Sequence, residues 1–159
     1  MSTKNYDLIV YGASSFVGAI MSRYLAEHLA GSPQFSWAIA GRCVTKLERL
    51  RNDLPAASAK LPIIVADATD SAALHKMCRS ARVVVSTVGP YALHGEPLIA
   101  ACAENGTDYC DITGEAYWIK RMIDTYQARA EASGARLVSC CGFDSIPSDL
   151  GVHFLQTQS

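Results

Sequence analysis

The sequence predicts a doubly wound α/β fold, with about six parallel strands and helices on both faces. Three observations point there. Short β-branched runs alternate with longer stretches of helical spacing along the chain. The runs are brief and apolar, as strands covered on both faces of a parallel sheet must be. The length, 159 residues, suits one domain, and right-handed crossovers then favour the doubly wound order.

The elements follow in order. Asp7 to Tyr11 reads as a buried strand. A helix follows, with Phe16, Val17, Ile20, Met21, Tyr24, Leu25 and Leu29 on one apolar face. Gly31-Ser32-Pro33 should end it. Phe35 to Ala40 is the second strand. Thr45-Lys-Leu-Glu48 has capping-box spacing and opens a helix to about Leu54. Pro62 to Ala66 is the third strand, and Asp70 or Ser71 caps a helix through about Arg79. Val83 to Ser86 is the fourth strand and the strongest of the set. After the Gly89-Pro90 break, a helix runs from about Gly95 to Glu104, with Pro97 in its first turn and Gly106 past its end. Asp108 to Asp111 is the fifth strand. A long helix from Glu115 to Ser133 ends at Gly134. Ala135 to Cys140 is the sixth strand, and Pro147 starts a last helix.

Composition narrows the function. Half of the residues are hydrophobic and 18% are charged, which is globular rather than disordered. A net charge of −1 offers no field for nucleic acid. No apolar run is long enough to span a membrane, and no signal-like stretch precedes the first strand. The six cysteines, Cys43, Cys78, Cys102, Cys110, Cys140 and Cys141, contain no Cys-x-x-Cys pair. They read as reduced, mostly buried thiols, and the protein as cytoplasmic.

The functional signal starts at Gly12-Ala13-Ser14-Ser15-Phe16-Val17-Gly18. It lies between a strand and an amphipathic helix, the phosphate-binding start of a Rossmann fold. The helix N-terminus offers unpaired N–H groups and a positive dipole end. Gly12 suits the tight turn, and Gly18 lets helix and strand approach. The spacing is that of Gly-x-x-Gly-x-x-Gly with Ser15 at the middle position. The hydroxyls of Ser14 and Ser15 can then donate to phosphate oxygens. The competing reading is a plain strand-to-helix turn, since glycine patterns recur by chance.

The end of the second strand selects the cofactor. An NAD enzyme usually carries an acid there for the ribose hydroxyls. This chain has Ala40-Gly41-Arg42 and no acid from Phe35 to Thr45. Arg42 suits a 2′-phosphate, so NADP(H) is the expected cofactor; the alternative is a solvated surface arginine. Asp67, ending the third strand, is placed for the adenine amino group or for a helix cap. Thr87, Val88, Gly89 and Pro90 follow the fourth strand at the topological switch point, and their backbone is expected to line the path of the nicotinamide and its ribose.

These residues sit among longer blocks: Ser86-Thr-Val-Gly-Pro-Tyr91, His94-Gly-Glu-Pro-Leu98, Ala100 to Gly106, Asp108-Tyr-Cys-Asp-Ile-Thr-Gly-Glu115, and Cys141-Gly-Phe-Asp-Ser-Ile-Pro-Ser-Asp149. With them the chain resembles the N-terminal domain of the saccharopine dehydrogenase-like oxidoreductases, a group that includes trans-acting enoyl reductases of bacterial lipid synthesis. The resemblance implies residues 1–159 as the dinucleotide-binding domain. It also implies a further substrate domain in full-length members, and hydride transfer to or from a small or lipid-like molecule. The face left bare without such a domain is expected to favour a homodimer.

No catalytic residue is assigned. None of the seven tyrosines has a lysine four residues on; Tyr109 is followed by Thr113 and Tyr117 by Arg121. His28, His75, His94 and His153 have no metal-ligand spacing. His94 follows the switch-point loop and has either a catalytic or substrate role or a helix-start or surface one. Asp111, Thr113 and Glu115 follow the fifth strand and Asp144 and Ser145 the sixth, at the ends that face the cleft of an open sheet, where they are substrate-contact candidates; Thr113 and Ser145 alternatively only cap the helices that follow. The competing function is a non-catalytic NADP(H)-sensing or scaffold module, because the fold hosts both.

Overall fold

A computed structural model describes residues 4–29 and 34–158. Six parallel strands form one sheet: β1 (Tyr6–Tyr11), β2 (Trp37–Gly41), β3 (Ile63–Val65), β4 (Ala81–Ser86), β5 (Asp108–Asp111) and β6 (Leu137–Val138). Their spatial order is β3-β2-β1-β4-β5-β6, the doubly wound arrangement. β1 pairs with both β2 and β4, with Ile9 opposite Ala38 on one side and Val84 on the other. The order reverses between β1 and β4, so a crevice opens there at the carboxyl ends of the strands.

The helices are α1 (Phe16–His28), α2 (Val44–Asp53), α3 (Ser71–Ser80), α4 (Tyr91–His94), α5 (Glu96–Asn105), α6 (Ala116–Ser133) and α7 (Ile146–Gln158). Alternate residues of a strand face opposite sides, and two cores result. Ile9, Tyr11, Ala38 and Val84 pack with Leu74, Leu98, Ile99, Tyr109 and Met122 beneath α3, α5 and α6. Val10, Ile39 and Val85 pack with Leu47, Leu50 and Leu54 on the α2 side. Gly106 and Gly134 end α5 and α6 in the left-handed conformation, at φ 58° and 80°. The expected stop at Gly31-Ser32-Pro33 lies outside the described residues.

Four sequence expectations are corrected. The buried face of α1 is Gly18, Ser22 and Ala26, while Phe16, Val17, Ile20 and Tyr24 are exposed and Met21 and Leu25 only half-buried. The helix lies so close to the strands that only small residues fit between, and the larger apolar ones are turned outward. α2 starts at Val44 with Cys43 at the cap and no side-chain cap bond, so Thr45 lies inside the first turn. β2 starts at Trp37, after Ser36, whose N–H and hydroxyl bond to the Asp7 carboxylate.

β6 is also only two residues long. Its start is shortened because the Ala135 N–H bonds to the Ala130 carbonyl at 2.9 Å, closing α6. Its end is shortened because Cys140 adopts φ 63° and its N–H turns to the Asp111 carboxylate at 3.0 Å. The one-turn helix α4 had no sequence signal.

Candidate functional site

A cavity of about 330 Å³ opens at the switch point. Its walls are the phosphate turn (Gly12, Ser14, Ser15), the end of β2 with the start of α2 (Arg42, Cys43, Lys46), the loop after β3 (Asp67, Ala68, Thr69) and the loop after β4 (Thr87, Val88, Gly89) with His94.

The turn is built by two glycines. Gly12 sits at φ 83°, and a Cβ there would lie 2.7 Å from both Thr87 Oγ1 and Val88 Cγ2. A Cβ on Gly18 would fall on the Gly12 carbonyl oxygen. The turn therefore needs glycine for conformation at one end and for close approach at the other. The N–H groups of Gly12 and Ala13 are both spent on the Ala40 carbonyl, and that of Ser15 on the Gly12 carbonyl. Ser15 Oγ accepts from the Gly18 N–H at 3.0 Å and caps α1. Ser14, Phe16 and Val17 keep backbone N–H groups with no partner among the described residues. These lie at the positive end of α1, where a phosphate is favoured.

Thr87 ties this turn to β4. Its hydroxyl is 3.0 Å from the Gly12 carbonyl, 3.2 Å from the Tyr11 carbonyl and 3.0 Å from Ser15 Oγ. Carbonyl oxygens only accept, so Thr87 donates to one of them and Ser15 donates to Thr87. The Ser15 proton is thereby consumed inside the protein. Of the two serines expected to meet a phosphate, only Ser14 keeps a free hydroxyl in this arrangement.

Two cations also line the cavity. Arg42 follows β2, and Lys46 lies four residues on, in the first turn of α2. Neither is ion-paired among the described residues. Asp67, on the same lining, accepts from the Thr69 hydroxyl at 2.7 Å and from the Thr69 N–H at 2.9 Å. These bonds, with Arg42 and His94 nearby, hold its carboxyl below the ordinary range.

A family profile described as the saccharopine dehydrogenase NADP binding domain matches residues 8–138. The chain belongs to this family. The chain is 44% identical over 158 residues to a Caenorhabditis elegans protein named lipid droplet localized protein, covering 95% of this chain and 36% of that one. It is 45% identical over 157 residues to a trans-acting enoyl reductase of Mycobacterium tuberculosis, covering 98% of this chain and 37% of the relative. The chain thus spans little more than a third of these relatives' length. Among solved structures, saccharopine dehydrogenase (L-Glu forming) of Saccharomyces cerevisiae aligns with a TM-score of 0.68 at 20% identity, over 87% of this chain and 27% of that one. A Rossmann-fold NAD(P)-binding protein from Shigella flexneri aligns with a TM-score of 0.55 at 17% identity, over 85% of this chain and 66% of that one. At these identities the structural likeness shows the fold.

Within the NADP-binding domain, the structure gathers Gly12, Ser14, Ser15, Arg42, Asp67, Thr87, Val88 and Gly89 around one cavity. Phe16 and Val17 do not line it, and Phe16 is 82% exposed. Gly18 packs behind the turn, and Pro90 lies beyond the wall. Lys46, which the sequence reading did not single out, lines the cavity together with Arg42 from the first turn of α2. His94 does reach the cavity wall.

The acids after β5 lie elsewhere. Asp111 is fully buried and accepts from Tyr109 Oη at 2.8 Å, the Cys140 N–H at 3.0 Å and the Thr113 N–H at 3.1 Å. Burial raises its carboxyl above the usual range, and these hydrogen bonds oppose the rise. It fastens β5 to the chain after β6. Thr113 Oγ1 accepts from the Glu115 N–H at 3.1 Å, a local turn contact. Asp144 and Ser145 do not line the cavity. Among the described residues no group of His, Cys, Asp and Glu is arranged for a metal, and no helix is long and apolar enough to cross a membrane.

Proposed function

We propose that this cavity holds NADP(H), with the pyrophosphate on the Ser14, Phe16 and Val17 N–H groups and the 2′-phosphate between Arg42 and Lys46. One observation carries the reading. The positive end of a helix and two cations outside any ion pair among the described residues lie at one cavity, where an NAD site would instead carry an acid after β2. The build of the turn supports it, since glycine at positions 12 and 18 lets the turn pack directly against Thr87, Val88 and the start of α1.

In a chain of the relatives' length, this domain would serve an oxidoreductase acting on a lipid-like enoyl compound, a reading that rests on the enoyl reductases' names. The bound nicotinamide supplies the hydride. The residues of this chain bind the cofactor, orient it and fix its phosphates, while the substrate groups belong to a separate domain. Cytoplasmic residence is part of the reading, in keeping with the buried free thiols of Cys78 and Cys102, which share a hydrogen bond at 3.6 Å.

NADPH titration followed by cofactor fluorescence tests it. Arg42→Ala and Lys46→Ala should each weaken NADPH binding by roughly 10- to 150-fold, with little effect on NADH, because a lost charge-assisted bond is worth roughly 1.5–3 kcal/mol. NADH binding as tight as NADPH in the unsubstituted chain would refute the assignment of the two cations.

A further inference from the structure

We infer that Glu115 is a positioning residue for the cofactor, acting from outside the cavity on the wall formed by Val88, Gly89 and His94. The inference rests on the cofactor reading above. Glu115 stands at the N-cap of α6 and does not line the cavity. Its carboxylate reaches across to α4. Oε1 accepts from the Tyr91 N–H at 2.7 Å and Oε2 from the Ala92 N–H at 2.9 Å. A helix start leaves such N–H groups unpaired, and α4 has no side-chain cap of its own. An ionised carboxylate with one oxygen on each N–H is the strongest cap available.

The place of this contact gives it a consequence for binding. Gly89 lines the cavity just before the capped turn, and His94 lines it at the turn's end. The two N–H groups held by Glu115 lie between them. The same end of α6 fixes the far end of α4, because a Cβ on Gly95 would meet Trp118 Cζ2 at 2.6 Å. Tyr91 Oη adds a bond to the Ser86 carbonyl at 2.9 Å, holding the ring over the end of β4. α6 is itself braced on α5 through Arg121–Glu96 and Arg129–Glu104. The wall facing the phosphate turn is thus set by α6. Without the Glu115 carboxylate the segment from Val88 to His94 loses one of its anchors, the one on its backbone N–H groups, and cofactor binding must do more to order it.

The test compares Glu115→Ala and Glu115→Gln with the unsubstituted chain. NADPH and NADH are titrated by fluorescence, and Tm is recorded alongside. Glu115→Ala should weaken both dinucleotides by the same factor, about tenfold, with the NADPH preference unchanged. Glu115→Gln keeps one acceptor oxygen and should fall between, and it serves if the alanine variant does not fold. A fall in Tm with unchanged affinity in the folded protein would make Glu115 a structural cap only and overturn the inference. So would a change in the NADPH-over-NADH preference, which would place its effect at the 2′-phosphate end. Failure of the unsubstituted chain to bind either dinucleotide would refute the cofactor reading itself, an outcome distinct from the other two.

Discussion

Replacing Gly18 by alanine probes the packing that seats the phosphate turn. The added Cβ would fall on the Gly12 carbonyl oxygen, 2.8 Å from Ala13 Cα and 2.9 Å from Thr87 Oγ1. The first two neighbours are backbone and cannot rotate away. Relief to ordinary contact needs α1 to move off β1 by on the order of 1 Å. Overpacking of this kind costs roughly 1–3 kcal/mol. Alanine's better helix propensity returns at most about 1 kcal/mol, and less in a first turn. A net loss of about 1–2 kcal/mol corresponds to a Tm lowered by roughly 2–8 °C for a domain of this size.

The same shift moves the Phe16 and Val17 N–H groups, so NADPH binding should weaken by about tenfold. Thermal unfolding by circular dichroism and a cofactor titration read the two effects. Gly114→Ala is the control, because nothing lies within 4 Å of a Cβ there. A Gly18→Ala protein with the parent's Tm and affinity would refute the close-packing argument.

Two further outcomes follow from the electrostatics and the thiols. Asp108 accepts from the Arg136 backbone N–H at 2.9 Å and from its guanidinium, and Arg136 holds the Asp108 carboxyl below its ordinary range. A folded pKa below the unfolded one stabilises above the unfolded value, and that contribution is lost as pH falls through the folded pKa. Asp108→Asn should therefore lower Tm near neutrality, with the difference closing on acidification; a difference that grew toward acid would contradict the pairing. Cys78 and Cys102 are fully buried, and burial pushes the Cys102 thiol well up, whereas Cys141 is exposed. A thiol reagent should label Cys141 in the native protein and reach Cys78 and Cys102 only on unfolding, as mass spectrometry after timed labelling would show. Prompt native labelling of the buried pair would count against the α3–α5 packing.

The strands at the sheet centre were legible because burial on both faces removes ambiguity. Val83 to Val85 can be little else. The left-handed stops at Gly106 and Gly134 were legible too, since glycine there answers a backbone need. The face of α1 was not. Apolar residues occupy more than one side of that helix, and periodicity marks the larger ones, whereas close approach selected Gly18, Ser22 and Ala26. Lys46 was not singled out either. Glu115 was hidden more deeply, because its partners lie 24 and 23 residues away in sequence and are backbone groups with no residue-type signature. Sequence patterns report local periodicity; a cap supplied by a distant element leaves no such trace.

The bond from Ser15 through Thr87 to the Gly12 carbonyl also bears on the speed of cofactor capture. A turn already fastened to β4 has no loop to order on encounter. On the proposed reading, the association rate is then governed by diffusion and by the attraction of Arg42 and Lys46 for the incoming phosphates. Added salt should slow capture through those two charges, while the release rate reports the seating of the pyrophosphate.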